Sequence, residues 1–284
     1  MFGISIICKK TDGFRFRLEE NSFSKEKDLD KYAESPTHCA VGKNSAPFPK
    51  IADCVVGKNQ SNYEVAVFGD SHAGHYSVSV FNWAKKKDLS LLSFYLFLCP
   101  PLISDQHINA RPKCLEYREK IWRELLIKQN LEYVFLAGRW HDIDDLEIFK
   151  KTIDDTAKKI TRLGKKLILL GTIPDLSVAG AKITPLQCIE KSGVPIKIIP
   201  ITGKNCLDFP LEKFSKQQEY DKILKEIAQK YEGVTYLDPF QQFCRDGSCH
   251  VIINNKLLYA DKDHLNMNGA NYLKIIGGFP FEIR

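Results

Sequence analysis

From Val65 onward the chain repeats one pattern: a short run of apolar residues, a turn, then a stretch of helical length with one apolar face. The runs at 65–69, 91–97, 132–137, 167–171 and 234–237 are predicted strands. The stretches at 74–87, 114–129, 145–163 and 215–231 are predicted helices, with a last one at 267–276. The strands show no polar alternation. A strand apolar on both sides must be buried on both, which is the condition of a parallel sheet with helices on each face. The predicted class is therefore α/β, a three-layer α/β/α sandwich around a central, mostly parallel sheet. At 284 residues, with 44% hydrophobic and 27% charged residues, the chain can bury one large core and is not of disordered composition.

In such sheets, sites lie beyond the carboxyl ends of the strands. Gly69-Asp70-Ser71-His72, Gly138-Arg139-Trp140 and Gly171-Thr172 all fall there. A serine at a strand-to-helix turn has its hydroxyl at the sheet edge, beside backbone N–H groups and the positive end of a helix. An Asp-Ser N-cap on an ordinary βα unit explains the same residues. A serine hydroxyl is a poor nucleophile unless a base takes its proton and a third group holds that base in one tautomer. Asp261 and His264, three residues apart after the apolar run Leu257-Leu258-Tyr259, supply such a pair. Ser71 is the expected nucleophile, His264 the general base and acid, and Asp261 the orienting carboxylate. Asp263, adjacent to His264, is the alternative carboxylate, but it is expected to point away along an extended segment and to cap the following helix. His72 is expected as a structural hydrogen-bonder. Metal binding by His72, His75 and His141 is conceivable, but this mechanism requires no metal.

Four blocks carry a family likeness: Gly69-Asp70-Ser71-His72-Ala73, Cys99-Pro100-Pro101, Leu136-Ala137-Gly138-Arg139-Trp140 and Leu258-Tyr259-Ala260-Asp261-Lys262-Asp263-His264-Leu265. They resemble the SGNH (GDSL-type) hydrolase superfamily, and within it the extracytoplasmic SGNH domain fused to membrane acyltransferases of family three. The resemblance implies an SGNH-hydrolase-like, flavodoxin-like fold over residues 36–284, with residues 1–35 a linker remnant after a missing membrane domain. It implies an O-acyltransferase that moves an acetyl group through an acyl-serine to a hydroxyl of a surface glycan such as lipopolysaccharide O-antigen. The implied partners are that glycan and a membrane acyltransferase domain or subunit. No cofactor is implied beyond an acetyl donor derived from acetyl-CoA and delivered by the membrane domain. In the superfamily a glycine N–H and an asparagine side chain complete the oxyanion hole. The Ser71 backbone N–H is the first candidate donor. Since Gly138-Arg139-Trp140-His141 stands where the asparagine would fall, Gly138, Arg139 and Trp140 are the further oxyanion or substrate candidates, with the Arg139 guanidinium or the Trp140 indole N–H able to donate. Trp140 also reads as a sugar-stacking platform or as packing.

Nine cysteines point to an oxidising compartment. Neighbours pair naturally as Cys39 with Cys54, Cys99 with Cys114, Cys188 with Cys206 and Cys244 with Cys249, leaving Cys8. No signal peptide is visible, and Met1–Cys8 is too short to span a bilayer. With the resemblance, this places the chain at the periplasmic face of a bacterial inner membrane. The formal charge of +6 is spread in short runs that read as solvated faces, and no nucleic-acid motif is present. Residues 172–214, with five prolines, read as a lid or as a stapled insertion. Asn254-Asn255 between Val251-Ile252-Ile253 and Lys256-Leu257-Leu258 predicts a hairpin leading into the Asp-x-x-His loop. Two further functions share these features: an acetylesterase using the same triad, and a non-catalytic glycan-binding module on the same fold.

Overall fold

The computed structural model describes residues 29–33, 39–41, 48–58, 62–103, 112–192 and 206–275. The central sheet comprises β1 (Ala40–Val41), β2 (Val55–Val56), β3 (Val65–Gly69), β4 (Leu91–Leu96), β5 (Tyr133–Ala137), β6 (Lys166–Leu170) and β8 (Val234–Leu237). Its spatial order is β1-β4-β3-β5-β6-β8, with every pair on this path parallel. β2 joins β4 in antiparallel sense at the edge, and the Cys39–Cys54 disulfide ties it to the start of β1. The sheet is thus mixed but mostly parallel, and the class expected from the apolar runs is found.

Strands β3, β4, β5 and β6 are buried along nearly their whole length, β8 only at Val234, and alternate residues serve different cores. Val65, Val67, Phe135 and Leu170 face one side with Tyr76 and Val80 of α1 (Ser71–Lys86). Ala66, Phe68, Leu136 and Leu169 face the other with α2 (Pro112–Ile127), α3 (Leu146–Arg162) and α5 (Ser215–Lys230). This two-sided burial is why the runs show no regular polar alternation. Phe149, Ile153, Ala157 and Ile160 of α3 recur at helical spacing on its buried face, and the Asp145 side chain caps its first turn at the Ile148 N–H.

The stretch 172–214 divides into a turn at 176–180, α4 (Pro185–Ser192) and β7 (Asp208–Pro210); residues 193–205 lie outside the described residues. The first part is not a free lid. Leu176 N donates to Lys262 O at 2.8 Å and the Tyr259 hydroxyl to Pro174 O at 2.9 Å, so it packs against the Asp-x-x-His loop. After β8 come α6 (Phe240–Phe243), the β9–β10 hairpin (Cys244–Arg245 and Ser248–His250) and the β11–β12 hairpin (Ile252–Ile253 and Lys256–Leu257). Asn254 and Asn255 turn the last hairpin with φ of 52° and 58°, a left-handed pair that asparagine tolerates. The final helix, α7 (Met267–Tyr272), is shorter than its predicted span, and α1 begins at Ser71 itself instead of at residue 74.

All four neighbour disulfides form: Cys39–Cys54, Cys99–Cys114, Cys188–Cys206 and Cys244–Cys249. Cys8 lies outside the described residues. No helix among the described residues is long and apolar enough to cross a membrane. The Cys99–Cys114 bridge has a sequence separation of 15, and a loop of that size constrains the unfolded chain by about 3 kcal/mol. Replacing both cysteines by serine should therefore lower the unfolding free energy by about that amount, read from urea midpoints. Peptide maps of unreduced protein should recover all four pairs.

Candidate active site

Gly69 ends β3 at a point where nothing larger fits: a Cβ there would stand 2.0 Å from Ala137 O on β5. The close approach puts Asp70 between two chain segments. Its buried carboxylate accepts from the His72 N–H at 2.8 Å, capping α1, and from the Arg139 N–H at 2.7 Å, beyond the end of β5. Burial pushes the Asp70 carboxyl up against these two N–H donors and the nearby His72, all of which favour the anion. Ser71 follows as the first residue of α1, at the helix's positive end.

His264 reaches Ser71 from the far end of the chain. Its Nε2 lies 2.9 Å from Ser71 Oγ, and its Nδ1 lies 3.0 Å from Asp261 Oδ2. Asp261 is held by a local turn in which its Oδ1 accepts from the Asp263 N–H at 2.8 Å and the His264 N–H at 2.7 Å. The structure thus brings Ser71, His264 and Asp261 together in one line of hydrogen bonds. Tyr32 stacks on the His264 ring at 4.7 Å between centroids, and Ala33 N donates to Leu265 O at 2.9 Å. Part of the segment read as linker is therefore a wall of this site.

Asp263 is the first departure from the sequence reading. The turn around Asp261 is bent, not extended, so the Asp263 carboxylate faces inward, with Oδ1 3.5 Å from His264 Nδ1. Its other oxygen lies 3.7 Å from Arg139 Nε and 3.8 Å from His72 Nε2. The cap of α7 is instead Asn266, whose side chain accepts from Asn268 N and Gly269 N. His264 is pulled two ways. Burial lowers its pKa, but Asp261 and Asp263, by hydrogen bonds and charge, outweigh that and push it up to about 10. The same contacts hold Asp263 well below the usual carboxylate range against its own burial.

The oxyanion candidates are placed differently than expected. The Trp140 indole is buried, and its Nε1 donates to Leu170 O at 2.7 Å, so it is a core residue and neither a free donor nor a stacking platform. Gly138 packs under that ring: a Cβ there would stand 3.1 Å from it. The Arg139 guanidinium is committed to Asp175, with Nε and Nη2 at 2.8 and 2.6 Å, and to Ser177 Oγ at 3.0 Å. Asp175, which sequence reasoning did not single out, is fully buried and also meets His141 Nε2 at 3.1 Å. Burial raises its pKa, but the His141 and Ser177 hydrogen bonds and the Arg139 charge win and hold it at about 2. Only an Asp-Leu-Ser turn signal after the prolines marked it.

His72 and His75 are buried with no hydrogen-bond partner on any of their ring nitrogens, so the structural hydrogen-bonding role expected of the His72 ring is not seen. Burial, and then His72 and His264, lower the pKa of His75. The three histidines considered for metal do not gather, since His141 sits with Asp175. Ligand atoms of His72, Asp263 and His264 do lie within 4.8 Å of one another. Both His264 nitrogens already serve Ser71 and Asp261, so a metal there would take that line apart.

The family model described as "SGNH domain (fused to AT3 domains)" matches residues 38–276. The chain belongs to this family. Among solved structures, the fold is similar to the periplasmic domain of a lipopolysaccharide acetyltransferase from Salmonella ser. Paratyphi A. That match has a TM-score of 0.60 and 17% identity, covering 82% of this chain and 87% of that one. A protein from Slackia heliotrinireducens assigned as an SGNH hydrolase is more distant, with a TM-score of 0.47 and 14% identity over 74% of this chain and 94% of that one. No curated protein matches. The four disulfides of this SGNH domain fit an extracytoplasmic location.

Because the folded value of His264 lies above the free value of about 6.5, its charged form stabilises the fold below that pH. That contribution is lost as pH rises through about 10. An NMR titration of the ring should show a midpoint above 6.5. In Asp263→Asn the midpoint should fall by about 1 unit, the effect of removing one nearby anion. The other groups facing the ring, Asp261, His72, His75 and Tyr32, are unchanged by that substitution.

Proposed function

We propose that this chain is a serine-dependent O-acyltransferase that carries an acetyl group on Ser71 to a hydroxyl of a cell-surface glycan such as lipopolysaccharide O-antigen. The observation that carries this reading is the line from Asp261 through His264 to Ser71, with spacings of 3.0 and 2.9 Å, at the carboxyl edge of the sheet. In the first half-reaction, Ser71 Oγ attacks the acyl carbonyl while His264 Nε2 takes its proton and returns it to the leaving group. In the second, Nε2 takes the proton of a sugar hydroxyl, whose oxygen attacks the acyl carbon, and returns it to Ser71 Oγ as the acyl–serine bond breaks. Asp261 holds the imidazole tautomer and stabilises the imidazolium. The Ser71 N–H, at the positive end of α1, is the first oxyanion donor.

The family's fusion to AT3 domains supports a membrane acyltransferase domain as the source of the acetyl group, derived from acetyl-CoA on the other side of the membrane. The name of the Salmonella relative supports the glycan as acceptor, and the disulfides support a periplasmic site. A base raised this far is charged over the neutral range, so turnover should climb with pH as the neutral imidazole is formed. Hydrolysis is the second reading. It is favoured by the partial exposure of the His264 side chain, 17%, which lets water reach an acyl-serine.

Ser71→Ala and His264→Ala should each cut turnover of a chromogenic acetyl ester by about 1000-fold or more, with unchanged thermal unfolding. Asp261→Asn should be impaired less. Near-normal turnover by folded Ser71→Ala protein would overturn the reading and leave a glycan-binding module. With a glycan acceptor present, mass spectrometry of acetylated product against free acetate separates transfer from hydrolysis.

A further inference from the structure

A second concavity opens at the carboxyl edge of the sheet, beyond β6 and β8. It encloses about 570 Å³ between Asp221 and Lys225 of α5, Tyr236 and Asp238 at the end of β8, and Phe240 and Arg245. That volume is in the range that holds small organic ligands. Asp221 is 8% exposed, and neither of its carboxylate oxygens nor the Tyr236 hydroxyl makes a hydrogen bond of good geometry, although Tyr236 and the Thr172 N–H lie near enough to Asp221 to favour its anion. A buried polar atom without a well-formed hydrogen bond is costly, so these groups call for a ligand that satisfies them. Gly171, at the end of β6, makes room for them: a Cβ there would stand 2.8 Å from the Tyr236 hydroxyl and 2.9 Å from Asp221 Oδ1.

The chemistry of the walls narrows the ligand. Burial, and then the Asp238 charge, push the Asp221 carboxyl up to about 8, against the Tyr236 hydroxyl and the Thr172 N–H, which favour the anion. At neutral pH the group therefore keeps its proton and can both donate and accept, which suits hydroxyls better than a cation. Lys222, Lys225 and Arg245 line the mouth together with Asp238 and Asp246, and the Lys225 charge favours the Asp238 anion. Tyr236, Phe240 and Leu211 offer apolar walls of the kind that cover the C–H face of a ring.

We propose that this pocket is a saccharide-binding subsite in which Asp221 and Tyr236 hydrogen-bond ring hydroxyls while Phe240 packs against the sugar's apolar face. It lies on the same edge of the sheet as Ser71. β8 is separated from β3 by three strand spacings, or about 14 Å, along the order β3-β5-β6-β8. Tyr76, on the helix that begins with Ser71, donates to Gly171 O at 2.7 Å and so joins the two sites through one rigid element. An oligosaccharide bound here must extend over about that distance to bring a hydroxyl to Ser71. That acceptor role rests on the acyl-transfer reading; sugar binding itself does not.

The test is a 1H–15N NMR titration of the full chain with glucose, N-acetylglucosamine and glucuronic acid at millimolar concentration. Saturable shifts are expected at 218–225 and 236–247 with at least one of them. Affinity should fall about tenfold or more in Asp221→Leu and in Gln218→Trp. Gln218 is an exposed lining residue, so a tryptophan there fills the pocket without disturbing the core. Gln218→Trp should turn over the chromogenic acetyl ester as wild type does. No shift at these residues with any of the three sugars, or shifts that persist in both variants, would overturn the proposal. Sugar shifts that persist while ester turnover proves independent of Ser71 would uphold the subsite and remove the acyl-transfer reading.

Discussion

The Asp70 carboxylate is the interaction on which the geometry of this domain depends. It is buried, it caps α1 through the His72 N–H, and it holds the Arg139 N–H beyond the end of β5. It can do both because Gly69 allows β3 and β5 to approach with no side chain between them. A carboxylate accepting two backbone donors in a buried position is directional in a way that apolar packing is not. Ser71 inherits its position from that arrangement as the next residue in the chain.

His264 depends on a different set of constraints, all of them long-range. Asn266 caps α7, and its amide also donates to Leu257 O at 3.0 Å, tying the loop to the β11–β12 hairpin. Ser79 of α1 donates to Ala270 O and Leu273 O, so the carboxyl-terminal segment is latched onto the helix that carries Ser71. Gly269 permits this packing, since a Cβ there would stand 2.1 Å from Leu258 O. The segment at 29–33 closes the loop from the outside through Ala33 and Tyr32. Ser71 and His264, 193 residues apart in sequence, are held by separate mechanisms that meet at one hydrogen bond.

Charge at the site is distributed over more residues than the triad. Asp175 neutralises Arg139 inside the domain, and Arg139 in turn faces Asp263. Asp263 looks toward His264, His72 and Arg139 at once. The basicity of the imidazole is therefore set by two carboxylates, one of them governed by a network that begins at the end of β6. A buried pair such as Arg139–Asp175 contributes little net stability, but loss of one partner leaves an unpaired buried charge.

Local pattern was enough for the parallel sheet, because a strand buried on both faces must be apolar throughout, and enough for the four disulfides, whose partners are near in sequence. It also reached Ser71, Asp261 and His264, since strand-turn-helix and Asp-x-x-His are short-range arrangements. It misjudged Asp263, because the direction of that side chain depends on a tight turn made by the Asp261 carboxylate and not on strand alternation. It left Trp140 open between donor, stacking platform and packing, and Arg139 as a candidate donor, because both are polar-capable residues at a strand end, where only packing decides the outcome. The Trp140 ring entered the core and the Arg139 guanidinium found Asp175, 36 residues away. The unpaired Asp221 and Tyr236 carry no local signal at all, since their pocket exists only where α5, β6 and β8 converge. The sequence by itself determined which residues were apolar, which could do chemistry, and which cysteines were neighbours. Only the tertiary structure decided which polar groups were left with partners, because partners are assigned by contacts between distant segments.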